Sequence, residues 1–452
     1  MMSEAAGWGG ECGGQDPMKA MRLTEEEKAD LAKAGSKKLD ILSRWLDGQL
    51  TCSHCRKCTR RCDILEGPGF DMGQIIAAYE KVTSLPYDEQ PAGVIALAQE
   101  DPLLYHTLRR CCFCGHCTAA CARHIGAPDS MRAWRELFMR ANLMPPDDSK
   151  LVMVDNEWHI FSAYRAIYQV AYPEVVTLDA AADHGQGWVD TLLFPGCSLV
   201  SYAPEVVKVL GQWLTDANVS WALSDACCGS PLMSAGLFQR AHDLRLSVIQ
   251  KMQKAGITRM VTICPGCADE FREDMPAGIE LVPLPELLLA KAEAHQELTG
   301  SSGFDPMSLP SVTFFDSCHD REDARNANAL RQLFARFLPN TAQAEMDHAK
   351  RGTLCCGAGG AVSAYDADIS NERVWRVIGE AKHTGASALI TMCPTCTYTV
   401  AQACLAAPKE GLWNLHYLEA LFGVKIDWEQ VFQQLGDMWT GEYGPWLSQT
   451  FF

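Results

Sequence analysis

The sequence has no apolar run approaching the ~18–20 residues that cross a bilayer as a helix, so no membrane span is expected. Positive charge is scarce. Against 56 Asp and Glu stand 39 Lys and Arg, a formal net charge of −17, which argues against the basic face that phosphate backbones require and so against nucleic acid as a partner. The first residues, MMSEAAGWGGECGGQDP, lack the basic and apolar stretches of a secretory leader. The glycines of CGAGG do not open a strand-to-helix turn with GxGxxG spacing, so no flavin or nicotinamide motif is visible. These absences lead to the expectation of a cytoplasmic chain. There thiols stay reduced, and clustered cysteines read as metal ligands and not as disulfides. At 48% hydrophobic and 21% charged, the 452 residues have an ordinary globular balance and suffice for two or three domains.

What the chain does have is cysteine. Of its 21 cysteines, all but Cys12, Cys112 and Cys404 fall into four spaced groups. Two groups read C-x2-C-x2-C-x3-C: Cys52, Cys55, Cys58, Cys62 and Cys111, Cys114, Cys117, Cys121. The other two read C…CCG…CxxC: Cys197, Cys227, Cys228, Cys264, Cys267 and Cys318, Cys355, Cys356, Cys393, Cys396.

The second pair of groups belongs to an internal repeat. TLLFPGC matches VTFFDSC, DACCGSPLMSAG matches TLCCGAGGAVSA, and RMVTICPGC matches ALITMCPTC. In the first copy the apolar runs TLLFPG, VSWAL, MVTIC and IELVPL alternate with helical patterns, the mark of a parallel sheet with crossover helices. Cys197, Cys264, Cys318 and Cys393 then fall at the C-terminal ends of predicted strands, where open α/β sheets place their ligands. Before the repeat, GQIIAAYEKV, AGVIALAQE and MRAWRELFMRANL read as short helices.

The spacing of the first two groups is that of bacterial-type [4Fe–4S] ferredoxins, in which the fourth cysteine ligates the other cluster. It implies one cubane cluster on Cys52, Cys55, Cys58 and Cys121 and a second on Cys111, Cys114, Cys117 and Cys62. Asp63 and Ala122 stand where that pattern usually carries proline. Zinc, the competing reading, usually joins two separated CxxC units. The expected fold is therefore mixed: an N-terminal α-helical two-cluster ferredoxin module followed by two tandem α/β domains with parallel sheets. The expected boundaries are an N-terminal tail and helix at 1–45, the cluster module at 46–145, a connector at 146–190, α/β domains at 191–300 and 311–423, and a C-terminal docking tail at 424–452.

Five thiols per repeat, two of them vicinal, exceed what a regular cube can take. Gly229, Gly357, Gly359 and Gly360 are expected to let the backbone approach the sulfides. The pattern resembles the cysteine-rich CCG domains of heterodisulfide reductase, and the layout resembles its D-type subunit. It also resembles iron–sulfur subunits of sulfite-reduction and cytochrome c complexes, and of glycolate, lactate and glycerol-3-phosphate dehydrogenases. The resemblance implies one or two noncubane [4Fe–4S] clusters on the CCG cysteines. It implies disulfide/dithiol chemistry on a small molecule or protein. The partner it implies is a membrane cytochrome b or quinone-reactive subunit, with cytochrome c or further iron–sulfur subunits beyond it. The location it implies is peripheral, on the inner face of the cell membrane. The alternative is an electron relay serving a separate flavin dehydrogenase.

His319, directly after Cys318, could protonate a thiolate product or simply pack, and Asp316 could orient it or cap a helix. Arg56, Lys57, Arg60 and Arg61 could raise the potential of the first cluster, dock an acidic electron carrier, or form a solvated basic loop. Cys112 and Cys404 are expected to be buried as small hydrophobes. Trp158, Phe161, Tyr164 and Tyr168 are expected in the core. Trp439, Tyr443, Trp446, Leu447, Phe451 and Phe452 show no clear periodicity, and the tail they form is expected to dock on a membrane subunit.

Overall fold

The computed structural model describes residues 52–123, 125–143, 147–294, 305–409 and 411–451. The expected N-terminal helix, Cys12 and Phe452 lie outside them. The two repeats fold as two four-stranded parallel sheets of identical order. The first runs β2-β1-β3-β4, with β1 Thr191–Phe194, β2 Trp221–Leu223, β3 Arg259–Thr262 and β4 Glu280–Pro283. The second runs β6-β5-β7-β8, with β5 Ser311–Phe315, β6 Ala342–Ala344, β7 Ala388–Thr391 and β8 Trp413–His416. The registers correspond: Thr191 lies between Trp221 and Arg259, and Val312 lies between Gln343 and Ala388. β1 and β7 are buried along their whole length because helices cover both faces of a parallel sheet.

Helices Pro204–Asp216, Phe238–Ala255 and Pro265–Arg272 make the crossovers of the first sheet. Arg325–Phe337, Ala367–His383 and Pro394–Ala406 make those of the second. In each sheet the strand order reverses between the first and third strands of the copy, which opens a crevice at their C-terminal ends. Cys197 and Cys264 stand at one such crevice, Cys318 and Cys393 at the other.

Residues 52–143 contain helices and 3₁₀ turns but no strand among the described residues. Asp71 starts helix Met72–Thr83 with a reciprocal capping box to Gln74. Asp101 caps Pro102–Arg109, where the fixed φ of Pro102 suits the first turn. Helix Ala127–Arg140 buries Trp134, Leu137 and Phe138 against Tyr79 and Tyr105, and shares one core with Leu192, Phe194 and Phe271 of the first sheet. The N-terminal helical module is thus fused to the first α/β domain by a common apolar interior.

Two expected boundaries change character. The 146–190 segment is no mere connector: Leu223 of β2 donates to Val176, and helix Leu178–His184 packs on Phe238–Ala255. Tyr164 and Tyr168 from this segment reach Gln434 at 2.6 and 2.7 Å. The C-terminal tail folds back as helices Trp428–Thr440 and Gly444–Phe451. Leu447 and Phe451 enter the core that joins the two sheets, and Trp446 meets Trp158 edge to face at 5.0 Å. The docking expectation rested on exposed aromatics. Of the described ones in this tail only Tyr443 is exposed. Phe451→Ala is therefore expected to cost about 3 kcal/mol by urea denaturation; a loss below about 1 kcal/mol would mean that the ring is not seated in this core. Among the described residues, no helix is long and apolar enough to cross a membrane.

Candidate metal centres

The two interleaved motifs separate into two four-cysteine cavities. Cys52, Cys55, Cys58 and Cys121 line one, together with Arg56, Lys57, Arg123, Met72 and Ile125. Cys62, Cys111, Cys114 and Cys117 line the other, with Asp63, Cys112, Cys355 and Arg373. The loops carrying the first three cysteines of each motif share a backbone shape. His54 and Phe113 are left-handed at φ 50° and 55°, and two residues on so are Arg56 and Gly115 at 56° and 69°. A left-handed non-glycine costs about 1–2 kcal/mol. It recurs at equivalent positions here because it turns amides inward: His54 N–H donates to Cys52 Sγ and Phe113 N–H to Cys111 Sγ, both at 3.3 Å.

The electrostatics of the inner cavity call for a cation. Burial, then the neighbouring Cys117, Cys114 and Cys111 thiolates, pushes the Cys62 thiol well up. Burial, then the Cys114 and Cys111 thiolates, does this to Cys117. Cys114 is pushed up first by its hydrogen bond with Cys355, and burial lifts Cys111 to about 11. Thiols packed where they cannot all ionise without a compensating charge suit a metal centre. The outer cavity is wetter. Cys55 is exposed, and its thiol is lowered by the Lys57 amide and the Ser53 side chain.

Buried guanidinium groups tie the cysteine loops to the α/β domains. Arg373 holds both carboxylate oxygens of Asp63 at 2.6 and 3.0 Å, and its Nη1 lies 2.7 Å from Cys112 Sγ. Arg321 donates to the Cys114 carbonyl at 3.2 Å and to Thr353, Arg245 to that of Cys228, and Arg135 to Gly360 and Ser234. Sequence reading missed all four, because each acts on a loop far away in the chain. Cys112 is buried as expected, but it faces polar partners: the Gly357 carbonyl as well as Arg373.

The two repeats do not present equal sites. In the first copy all five cysteines are contiguous. Cys227 and Cys197 lie 3.5 Å apart, Cys228 hydrogen-bonds to Cys227 and Cys267, and Cys267 to Cys264. In the second, Cys356, Cys393 and Cys396 hydrogen-bond together and Cys318 stands close to Cys356 and Cys393. Cys355 instead bonds to Cys112 and Cys114 on the wall of the inner cavity. A hydrogen bond between Cys264 and Cys393 joins the two copies. The thiols of the inner cavity and of the two repeats therefore run as one connected series, and the outer cavity adjoins it where the Cys58 charge acts on Cys117.

The glycines serve a purpose other than the expected approach to sulfides. A Cβ on Gly359 or Gly360 would run into the carbonyls of Cys112 and Cys111, and one on Gly357 into the Ser370 carbonyl. Gly359 and Gly360 let the second CCG loop lie directly on the N-terminal helical module, while Gly357 packs on helix Ala367–His383 of its own domain. His319 is half-buried beside the first repeat: a Cβ on Gly266 would lie 3.3 Å from its ring and 3.6 Å from Cys264 Sγ. Its partner is Asp269 at 2.9 Å, a residue of the first repeat that sequence reading missed. Burial works to lower the His319 pKa, but the Asp269 bond and charge outweigh it and the net shift is upward. Asp316 does not orient His319; it accepts the Lys350 N–H, the first of the 3₁₀ turn Lys350–Gly352, at 2.7 Å. It pairs with Arg331 at 2.8 and 2.9 Å, while Asp320 takes the helix-capping role for Asn326 and Ala327.

Residues 191–272 and 312–401 match the cysteine-rich CCG domain family. The chain carries two CCG cysteine-rich domains. It is homologous, at low identity, to the D-type subunit of heterodisulfide reductase and to related iron–sulfur proteins. It is 23% identical to one of the subunits of the fumarate reductase (CoM/CoB) of Methanothermobacter marburgensis, over 82% of this chain and 70% of that one. It is 24% identical to the D-type subunit of the dihydromethanophenazine:CoB–CoM heterodisulfide reductase of Methanosarcina barkeri, over 63% of this chain and 70% of that one. An EtfAB:quinone oxidoreductase of Syntrophomonas wolfei is 23% identical over 74% of this CCG protein, which spans 49% of that relative's length. These homologues are oxidoreductases or their subunits.

Proposed function

We propose that this CCG protein is the iron–sulfur subunit of a heterodisulfide reductase-like complex. It would pass electrons between a membrane cytochrome b or quinone-reactive partner and a disulfide/dithiol pair. The observation that carries the reading is the sorting of the cysteines into two four-thiol cavities, the inner of which is in thiol contact with the CCG sites. In this reading Cys52, Cys55, Cys58 and Cys121 hold one cubane cluster, and Cys62, Cys111, Cys114 and Cys117 hold the second. The five cysteines of the first repeat hold a noncubane cluster, and those of the second repeat can hold another. Bound iron–sulfur clusters supply one-electron steps, so that the two electrons of a disulfide can be delivered in turn.

The chain's own residues do the rest. Buried arginines fix the cysteine loops, the apolar interior excludes water, and His319 is placed to give a proton to a thiolate released near Cys264 while Asp269 holds its ring. Reduction of a disulfide takes two electrons and two protons and yields two thiols. The placement is cytoplasmic, peripheral on the inner membrane face, with cytochrome c or further iron–sulfur subunits as additional partners. The second reading, a relay for a separate flavin dehydrogenase, is favoured by the quinone oxidoreductase relative.

Anaerobic iron and sulfide counting with EPR tests this. We expect about 12 to 16 iron atoms per chain, four per cluster, and a paramagnetic signal that changes on adding thiol. About eight irons, no thiol-dependent signal and no disulfide reduction would leave the relay.

A further inference from the structure

The outer cavity opens on an unusual piece of surface. Arg56, Lys57, Arg60, Arg61 and Arg123 are all exposed. None has an acidic partner among the described residues; of the acids in the same segment, Asp63 pairs with Arg373, Asp71 with His54, and Glu66 stands exposed. Five cations without an acidic partner among the described residues, on a chain of net charge −17, are not a by-product of composition. Of the cysteines in the four groups, Cys55 alone is exposed, and it lies in this same cavity beside Arg56 and Lys57. The place where the thiol series reaches solvent is thus the place where the surface turns basic.

We infer that this face docks an acidic electron-carrier protein, which exchanges single electrons with the chain at the Cys52, Cys55, Cys58 and Cys121 site. The inference rests on the reading that this site holds a redox cluster. In each transfer the carrier loses one electron and the site gains it, with no atom moved; the direction reverses with the driving force. A basic rim around an exposed redox edge raises encounter rates by about 10- to 10³-fold and orients the carrier so that its own redox edge faces Cys55. An anionic membrane is the other partner such charge could meet. It is disfavoured because membrane-surface binding also wants apolar side chains. None of the exposed large hydrophobics among the described residues, such as Tyr87, Leu103 and Trp188, lines the outer cavity.

The test uses the full-length holoprotein and the hydroquinone form of a flavodoxin, an acidic one-electron donor, followed by bleaching of the iron–sulfur absorbance in stopped flow. The second-order rate is expected to fall at least about tenfold between roughly 20 and 300 mM salt, as the Debye length shrinks below the size of the patch. The variant R56E/K57E/R60E/R61E is expected to be at least about tenfold slower per loaded cluster at low salt and nearly insensitive to salt. Arg60→Glu, at a residue that lines neither cavity, guards against failure of the fourfold variant to load iron and is expected to slow the flavodoxin reaction about two- to threefold. Equal flavodoxin rates in wild type and variants would overturn the inference. So would unchanged flavodoxin rates together with charge-dependent sedimentation on phosphatidylglycerol vesicles, which would assign the face to a membrane. A wild-type protein with no bleachable absorbance would instead sink the cluster reading beneath it.

Discussion

Replacing Cys121 by alanine is expected to remove the cluster of the outer cavity and to spare the inner one, although Cys121 belongs to the motif that supplies the inner cavity. The loss should be about four iron atoms per chain, with the EPR signal of one cubane gone and the other retained. Cys117→Ala, four residues earlier, should remove the other signal. The reason is local geometry. The short helix His116–Ala120 carries the chain away from Cys117, and Cys121 follows it in extended conformation at φ −84° and ψ 116°. The 3₁₀ turn Thr59–Arg61 does the same between Cys58 and Cys62, which is extended at φ −136° and ψ 112°. These two turns pack against each other, so each delivers its last cysteine across to the neighbouring cavity. Loss of the same signal in both variants would show that the motifs are not crossed.

The strands and the grouping of the cysteines were legible because their causes are local. A buried strand must be a short apolar run, and x2 or x3 spacings fix which thiols can reach one centre. Among the described residues the strands accordingly fall in or beside the repeated segments, except β6, Ala342–Ala344, which is neither an apolar run nor buried and carries no such signal. What was not legible depends on residues far apart in the chain. Nothing near Arg373 signals that it crosses to Asp63 and Cys112, and nothing near His319 signals Asp269. The repeat implied two like sites, yet Cys355 turns aside because Cys112 and Cys114 lie next to the second copy alone. The glycines were visible as close-approach positions, but at Gly359 and Gly360 what approaches is the backbone of Cys112 and Cys111. The tail was misjudged because Gly441 and Gly444 split it. Taken separately, Trp428, Val431, Leu435 and Met438 have the i, i+3, i+7 spacing of a buried helix face.

Arg373→Met should have the largest effect outside the cysteines, both on stability and on the inner cluster. The guanidinium is 6% exposed and comes from a helix of the second CCG domain. It bonds to the residue after Cys62 and to the residue after Cys111, so one side chain fastens both cysteine segments of the inner cavity to the α/β body. Methionine keeps much of the volume but leaves the Asp63 carboxylate without its bidentate partner. Breaking a buried pair costs about 3–5 kcal/mol. Asp63 is 29% exposed and Arg376 stands 3.8 Å away to compensate in part, which brings the expectation down to about 2–4 kcal/mol. Asp63→Asn alone should cost less, and the double variant should show a coupling of about 1–3 kcal/mol in a denaturation cycle. Removing a buried positive charge beside the inner cavity should also lower the midpoint potential of the cluster held there by on the order of 50 mV, since about 59 mV corresponds to about 1.4 kcal/mol for one electron. The outer cluster, farther from Arg373 and open to solvent at Cys55, should shift much less. Equal shifts of both potentials would mean that the substitution acts through general loosening of the fold. A shift confined to the inner cluster would locate the effect in the charge that Arg373 brings to its wall.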